Sequence, residues 1–150
     1  MPVLIVRASI VSKKSPKIAA LLAALPPSRL DPHYAGYFEC FNRQLFYEAH
    51  DVLEELWLTL KGQPDYLFYK GLIQVAGGFV HLQKNKLDPA ARLFRHALKH
   101  TRPFLPRHDG LDVAQLHQLI ESYLSRIETS HYTANPYNPQ QPPEFRLEEV

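Results

Sequence analysis

Apolar residues recur at helical spacing along most of this chain. Leu45, Ala49, Val52, Leu53, Leu56 and Leu60 follow a 3.6-residue period, which predicts an amphipathic helix over 45–61 that stops at Gly62. Pro64-Asp65 opens a longer helix, 65–86, that is apolar nearly all round. It carries Phe68, Leu72, Val75, Phe79 and Leu82 on one side and Ile73, Ala76 and Val80 on another. A helix of that kind belongs at the centre of a bundle. Upstream, Asp31-Pro32 combines an N-cap with a first-position proline and predicts a short helix to about Phe41, with Asn42 as its left-handed C-cap. Downstream, Asp88-Pro89 starts a fourth helix with Leu93, Phe94, Ala97 and Leu98 inward. The Asp112/Gln115 capping pair starts a fifth, carrying Val113, Leu116, Ile120, Leu124 and Ile127. The body shows no strand-like alternation. The expected fold is all-α, a compact bundle of about five helices over residues 31–131.

The flanks read differently. Residues 1–30 form an N-terminal appendage: VLIVRASIV as a short strand or extended segment, then KIAALLAAL as a short helix halted by Pro26-Pro27. After His131 the stretch YTANPYNPQQPPEFRLEEV is too rich in Pro, Asn and Gln to continue a helix. Residues 132–150 are therefore expected as an extended Pro-rich tail that lies over the bundle or is disordered.

Composition narrows the class without naming an activity. A chain of 150 residues is one domain by size and buries roughly 70% of its unfolded surface. Its net charge of +2 is too near neutral to demand a polyanionic partner. Cys40 is the single cysteine, so no intramolecular disulfide forms. The VLIV run ends at Arg7, too short for a secretory signal or a membrane span. The expectation is a cytoplasmic protein without a membrane partner.

Candidate chemistry concentrates in FYEAHDVLEELW, residues 46–57. His50, Glu54 and Trp57 share one flank of that helix's apolar stripe, while Glu48, Asp51 and Glu55 occupy the other. A His and a carboxylate at i and i+4 can reach one metal ion together. On the following helix, Lys70, Gln74, Gly77, Gly78 and His81 trace a narrow polar stripe, costly to bury unless paired. Facing the two stripes against each other gathers His50, Glu54 and His81 around a small polar pocket. Gln74 then stands beside it, Trp57 forms an apolar wall, and the glycine pair admits a backbone or ligand closely. The competing account is structural: the same polar groups hydrogen-bond one another and fix helix register. No HExxH is present, and one Glu-x-x-His, Glu128/His131, is too few for a di-iron bundle. Arg92, Arg95 and Lys99, with His96 and His100, share the outward face of the fourth helix. They form an anion patch or, more simply, a solvated face, and with no aromatic platform interleaved nucleic acid is disfavoured.

FNRQLFYEAHDVLEELW followed by KGLIQVAGGFVHLQKNKLDPAARLFRHAL resembles the DUF309 family, small helical proteins often labelled predicted metal-dependent hydrolases. The likeness covers roughly 35–105, and QPPEFRLEE is similar to the family's endings. It rests on EAH(D/E)xLE(E)xW and GLIQxAxxxxH, in order and suitably spaced. Asp51 stands where the family more usually has Glu, and Gln44 where many members have Gly. The resemblance implies a helical bundle with a site drawn from Glu48, His50, Glu54, Gln74 and His81. On that reading one divalent metal sits on His50, Glu54 and His81 with an open position. Gln74 orients substrate or water and Glu48 is the general base. The FN-x-x-x-F-x-EAH pattern is also similar to helical-repeat modules that bind partners without chemistry. The expected partner is thus an unknown small molecule or a protein, a second copy of the chain included.

Overall fold

A computed structural model describes residues 14–148. Six helices dominate: α1 (Ser15–Ala23), α2 (Pro32–Asn42), α3 (Phe46–Trp57), α4 (Tyr66–Gln83), α5 (Leu87–Thr101) and α6 (Val113–Thr129). A two-stranded antiparallel hairpin, β1 (Arg107–His108) and β2 (Leu111–Asp112), lies between α5 and α6. The hairpin corrects the strand-free expectation; strands this short cannot show a period-2 pattern. The segment 3–11 read as a strand or extended chain lies outside the described residues.

The local start signals are where the sequence put them. Asp31 Oδ1 accepts from the His33 amide at 2.8 Å, with Pro32 at the first helical position. Asp112 Oδ1 accepts from the Gln115 amide at 2.9 Å. The ends are less regular. Asn42 is still helical, and the left-handed residue is Gln44, at φ 62°. Helix α3 stops at Trp57 rather than 61, and α5 begins at Leu87 with Asp88 inside its first turn.

Helix α4 runs through the centre, between α3 and α5. Phe79 is fully buried, with the rings of Phe41, Phe46, Phe94 and Tyr123 at 5.5, 5.1, 5.2 and 5.0 Å. Helix α5 meets α4 along a seam of small residues. A Cβ on Gly78 would lie 2.4 Å from the Phe94 ring, and one on Gly71 would lie 2.4 Å from Thr101 Cγ2. Ala90, Ala91 and Ala97 of α5 are all fully buried. The seam exists because α4 gives up side-chain volume there.

Residues 133–148 carry no helix or strand, yet they dock. The Asn42 side chain brackets Phe145, donating to its carbonyl at 2.7 Å and accepting from its amide at 2.9 Å. The Phe145 ring is buried against Phe41 at 5.4 Å. Farther along, the Glu148 amide donates to Gly110 O at 2.8 Å. Gly110 is left-handed at φ 74°, and any Cβ there would collide with Glu148 O.

Most buried polar side chains are paired across the helices; His81 Nδ1 is the exception among the described residues, buried without a hydrogen-bond partner. Thr101 Oγ1 donates to Ala97 O at 2.7 Å and accepts from His117 Nε2 at 2.8 Å. Burial holds the His117 imidazole below its ordinary range. An unfolded chain would then take up that proton first as pH falls, so this group removes stability below about pH 6.5. His33 works the other way: Asp31 and Glu55 raise it, and its contribution is lost as pH rises through its folded value. Replacing His117→Gln is expected to flatten the loss of stability between about pH 7 and 5, by at most about 1.4 kcal/mol per pH unit. Urea midpoints of both proteins across that range check it; parallel curves would refute it. Among the described residues, no helix is long and apolar enough to cross a membrane. Cys40 is buried and unpaired.

Candidate metal centre

The flank of α3 that faces α1 brings three ligand-type side chains together. His50, Asp51 and Glu54 each offer an atom, all within 4.8 Å of one another. His50 Nδ1 lies 3.1 Å from Asp51 Oδ1, and because an ionised carboxylate only accepts, the ring nitrogen carries the proton. His50 Nε2 is 3.8 Å from Glu54 Oε2. Asp51 is 7% exposed, and a buried carboxylate needs a counter-charge. Lys14 supplies one, its Nζ donating to Asp51 Oδ1 at 2.9 Å. That bond raises the Lys14 ammonium above its ordinary value. The Tyr47 ring lies near-parallel to His50 and under the Lys14 ammonium.

Asp51 joins this group although the helical wheel puts it on the other flank. A neighbouring residue lies only about 100° round a helix, and the imidazole is long enough to cover that arc. Glu55, from the same flank, turns instead to His33 and Ser15, both at 3.0 Å. Glu48 stands in the first turn of α3 and, among the described residues, enters no His/carboxylate cluster.

The second polar stripe does not meet the first. It faces α5, because the glycines that were to admit a ligand admit that helix instead. Gly78 abuts Phe94 and Gly77 abuts Leu93. Gln74 Oε1 accepts from His100 Nδ1 of α5 at 2.8 Å. Burial, with Lys70 nearby, keeps the His100 imidazole low and so favours that neutral donor form. His81 belongs to neither cluster of ligand groups among the described residues. Its surroundings are cationic: burial first, then Lys86, Lys84 and Arg92, disfavour its charged form. The pocket expected between His50, Glu54 and His81 is therefore not formed.

Trp57 is an anchor between helices rather than a wall of that pocket. Its Nε1 donates to Tyr66 O at 3.1 Å and its ring lies 4.9 Å from Tyr66. The basic face of α5 is partly neutralised: Arg92 pairs with Asp88 at 3.6 Å, and Arg95 reaches Glu128 and the Tyr132 hydroxyl. Lys99 is exposed on the same face.

A second constellation had no sequence signal. Asp65 precedes α4 and was read only as a helix opener. His108 and Asp109 belong to the hairpin, and together with Asp65 they place ligand atoms within 4.8 Å. Burial raises the Asp109 carboxyl above its usual range; His108 opposes this and Asp65 adds to it.

Residues 34–93 match the family described as "Domain of unknown function (DUF309)". The match covers 60 of the chain's 150 residues. The match runs from α2 into the middle of α5, ending short of the 105 suggested by the residues alone. His50, Asp51, Glu54, Gln74 and His81 fall inside the matched stretch; His100, His108 and Asp109 fall beyond it. An "Uncharacterized protein" of Aquifex aeolicus (strain VF5) is 24% identical over 98 residues, or 65% of this chain. The matched stretch spans only 29% of that protein's length. No solved structure matches the chain significantly.

Proposed function

We propose that this chain is a divalent-metal-binding protein of hydrolase type, with His50, Asp51 and Glu54 as the metal-holding side chains. One observation carries the reading: three nitrogen and oxygen ligands on two successive turns of α3 converge around a buried carboxylate that already faces a cation. The donor set suits zinc, manganese or magnesium more than a thiol-seeking ion. The spacing suits a single ion after small side-chain movements, with Lys14 withdrawing from Asp51. A bound divalent ion would supply a water acidified toward neutral pH. The chain's own residues do the rest. His50 supplies the nitrogen ligand, Asp51 the buried carboxylate, and Glu54 a second carboxylate one turn on.

The rival reading is a non-catalytic interaction module, and the Gln74–His100 pair favours it, since it gives a polar residue of the expected site a purely structural partner. Metal content separates the two. Protein purified without a histidine tag and dialysed against low-micromolar Zn²⁺ or Mn²⁺ is expected to hold one more ion per chain than a His50→Ala/Glu54→Ala variant. Cooperative unfolding of the variant shows that the loss is local. Equal metal content in the two proteins would defeat the metal reading. Chelator-sensitive turnover of chromogenic ester and phosphoester probes, absent in the variant, is the outcome that the hydrolase class requires.

A further inference from the structure

We propose that Asp65, His108 and Asp109 form a second divalent-cation site, separate from α3, at the edge of a cavity of about 350 Å³. A single imidazole nitrogen is shared between two carboxylates. His108 Nε2 lies 2.9 Å from Asp65 Oδ1 and 3.7 Å from Asp109 Oδ2. One N–H cannot serve both acids well, and two carboxylates carry more negative charge than a single imidazole can balance. A divalent ion balances that charge with ligands it ordinarily takes.

The cavity is the second observation. Asp31, Leu56, Leu60, Pro64, Asp65 and Tyr69 line it, with Gln63, so both charged groups on its wall are acids, of which Asp31 is paired with the His33 imidazole at 3.4 Å. Asp65 belongs to the cavity wall and to the cluster alike, which puts the cation at the boundary of a space large enough for a small ligand. The groups behind the ligands are fixed. His108 packs on the Phe68 and Phe104 rings at 4.6 and 4.7 Å, and the Tyr34 hydroxyl donates to Asp109 O at 2.9 Å. Asp65 and His108 are 43 positions apart in the chain, so the ion would also clip the hairpin to the start of α4.

Paramagnetic broadening in ¹⁵N-correlated spectra of the full chain tests this with Mn²⁺ alone as the probe. At substoichiometric Mn²⁺ the amides of Asp65, His108, Asp109 and Gly110 are expected to vanish first, and to return on adding EDTA. In Asp109→Asn, an exposed position, the Mn²⁺ needed for the same loss should rise at least ten-fold. Broadening at this cluster supports the site whether or not the amides around His50 also broaden. Broadening around His50 alone overturns it and leaves the α3 centre standing. No broadening at the cluster, or broadening unchanged in Asp109→Asn, overturns it as well.

Discussion

Phe145→Ala is expected to cost about 3–5 kcal/mol of unfolding free energy, the range for emptying a buried aromatic site. The ring is 2% exposed and sits against Phe41, and Phe38 meets it edge-on at 6.5 Å, so its removal leaves a hole bounded by rigid rings. The loss should spread along the chain. Without the ring, polar contacts such as the Asn42 bracket and the Glu148–Gly110 bond must hold the segment, and net hydrogen bonds contribute only about 1 kcal/mol each. Denaturant unfolding gives the magnitude; hydrogen exchange gives the location, with the amides of Phe145 and Glu148 losing protection ahead of α4. A loss under about 1 kcal/mol, or unchanged protection at Glu148, would mean the segment contributes little to the core.

Gly78→Ala should destabilise the protein by about 1–3 kcal/mol, even though alanine is the better helix former by about 1 kcal/mol. Packing decides the sign. The added methyl would meet three Phe94 ring atoms at 2.4, 2.7 and 2.9 Å, and that ring is fully buried beside Phe79 and Tyr123. Neither a rotamer change nor solvent offers an exit, so α5 must move outward. Gly77→Ala is the internal control, since its methyl would meet one flexible Leu93 atom at 3.1 Å. Thermal unfolding of the two variants should rank them clearly, with Gly78→Ala lower by several degrees. Equal midpoints would show that the seam tolerates widening.

The helical architecture was legible because its signals are local. Asp31-Pro32 and Asp112/Gln115 cap helices through groups two or three residues away, and the apolar breadth of α4 put it at the centre. The site was legible only within α3, where His50 and Glu54 meet by helical spacing. The error lay in the partner of the Gln74/His81 stripe. A central helix has neighbours on both sides, and its pattern does not say which of them receives a polar face. The glycines held the answer, read as packing rather than as access, since small residues on a buried helix draw in the next helix. Gln44 sits at positive φ, whereas the sequence pattern placed the left-handed residue two positions earlier, at Asn42. Asp65 and His108 lay beyond any such reading, because their contact depends on how the hairpin returns across the bundle.

The rings around Phe79 have a consequence for how the molecule can be divided. The DUF309 match closes at residue 93, one position before Phe94, and Tyr123 lies farther out on α6. Cutting the chain at that boundary would sever α5 and strip Phe79 of three aromatic neighbours, Phe94, Tyr123 and Tyr137. The matched segment and the aromatic core thus have different borders, and a recombinant fragment should be drawn by the second.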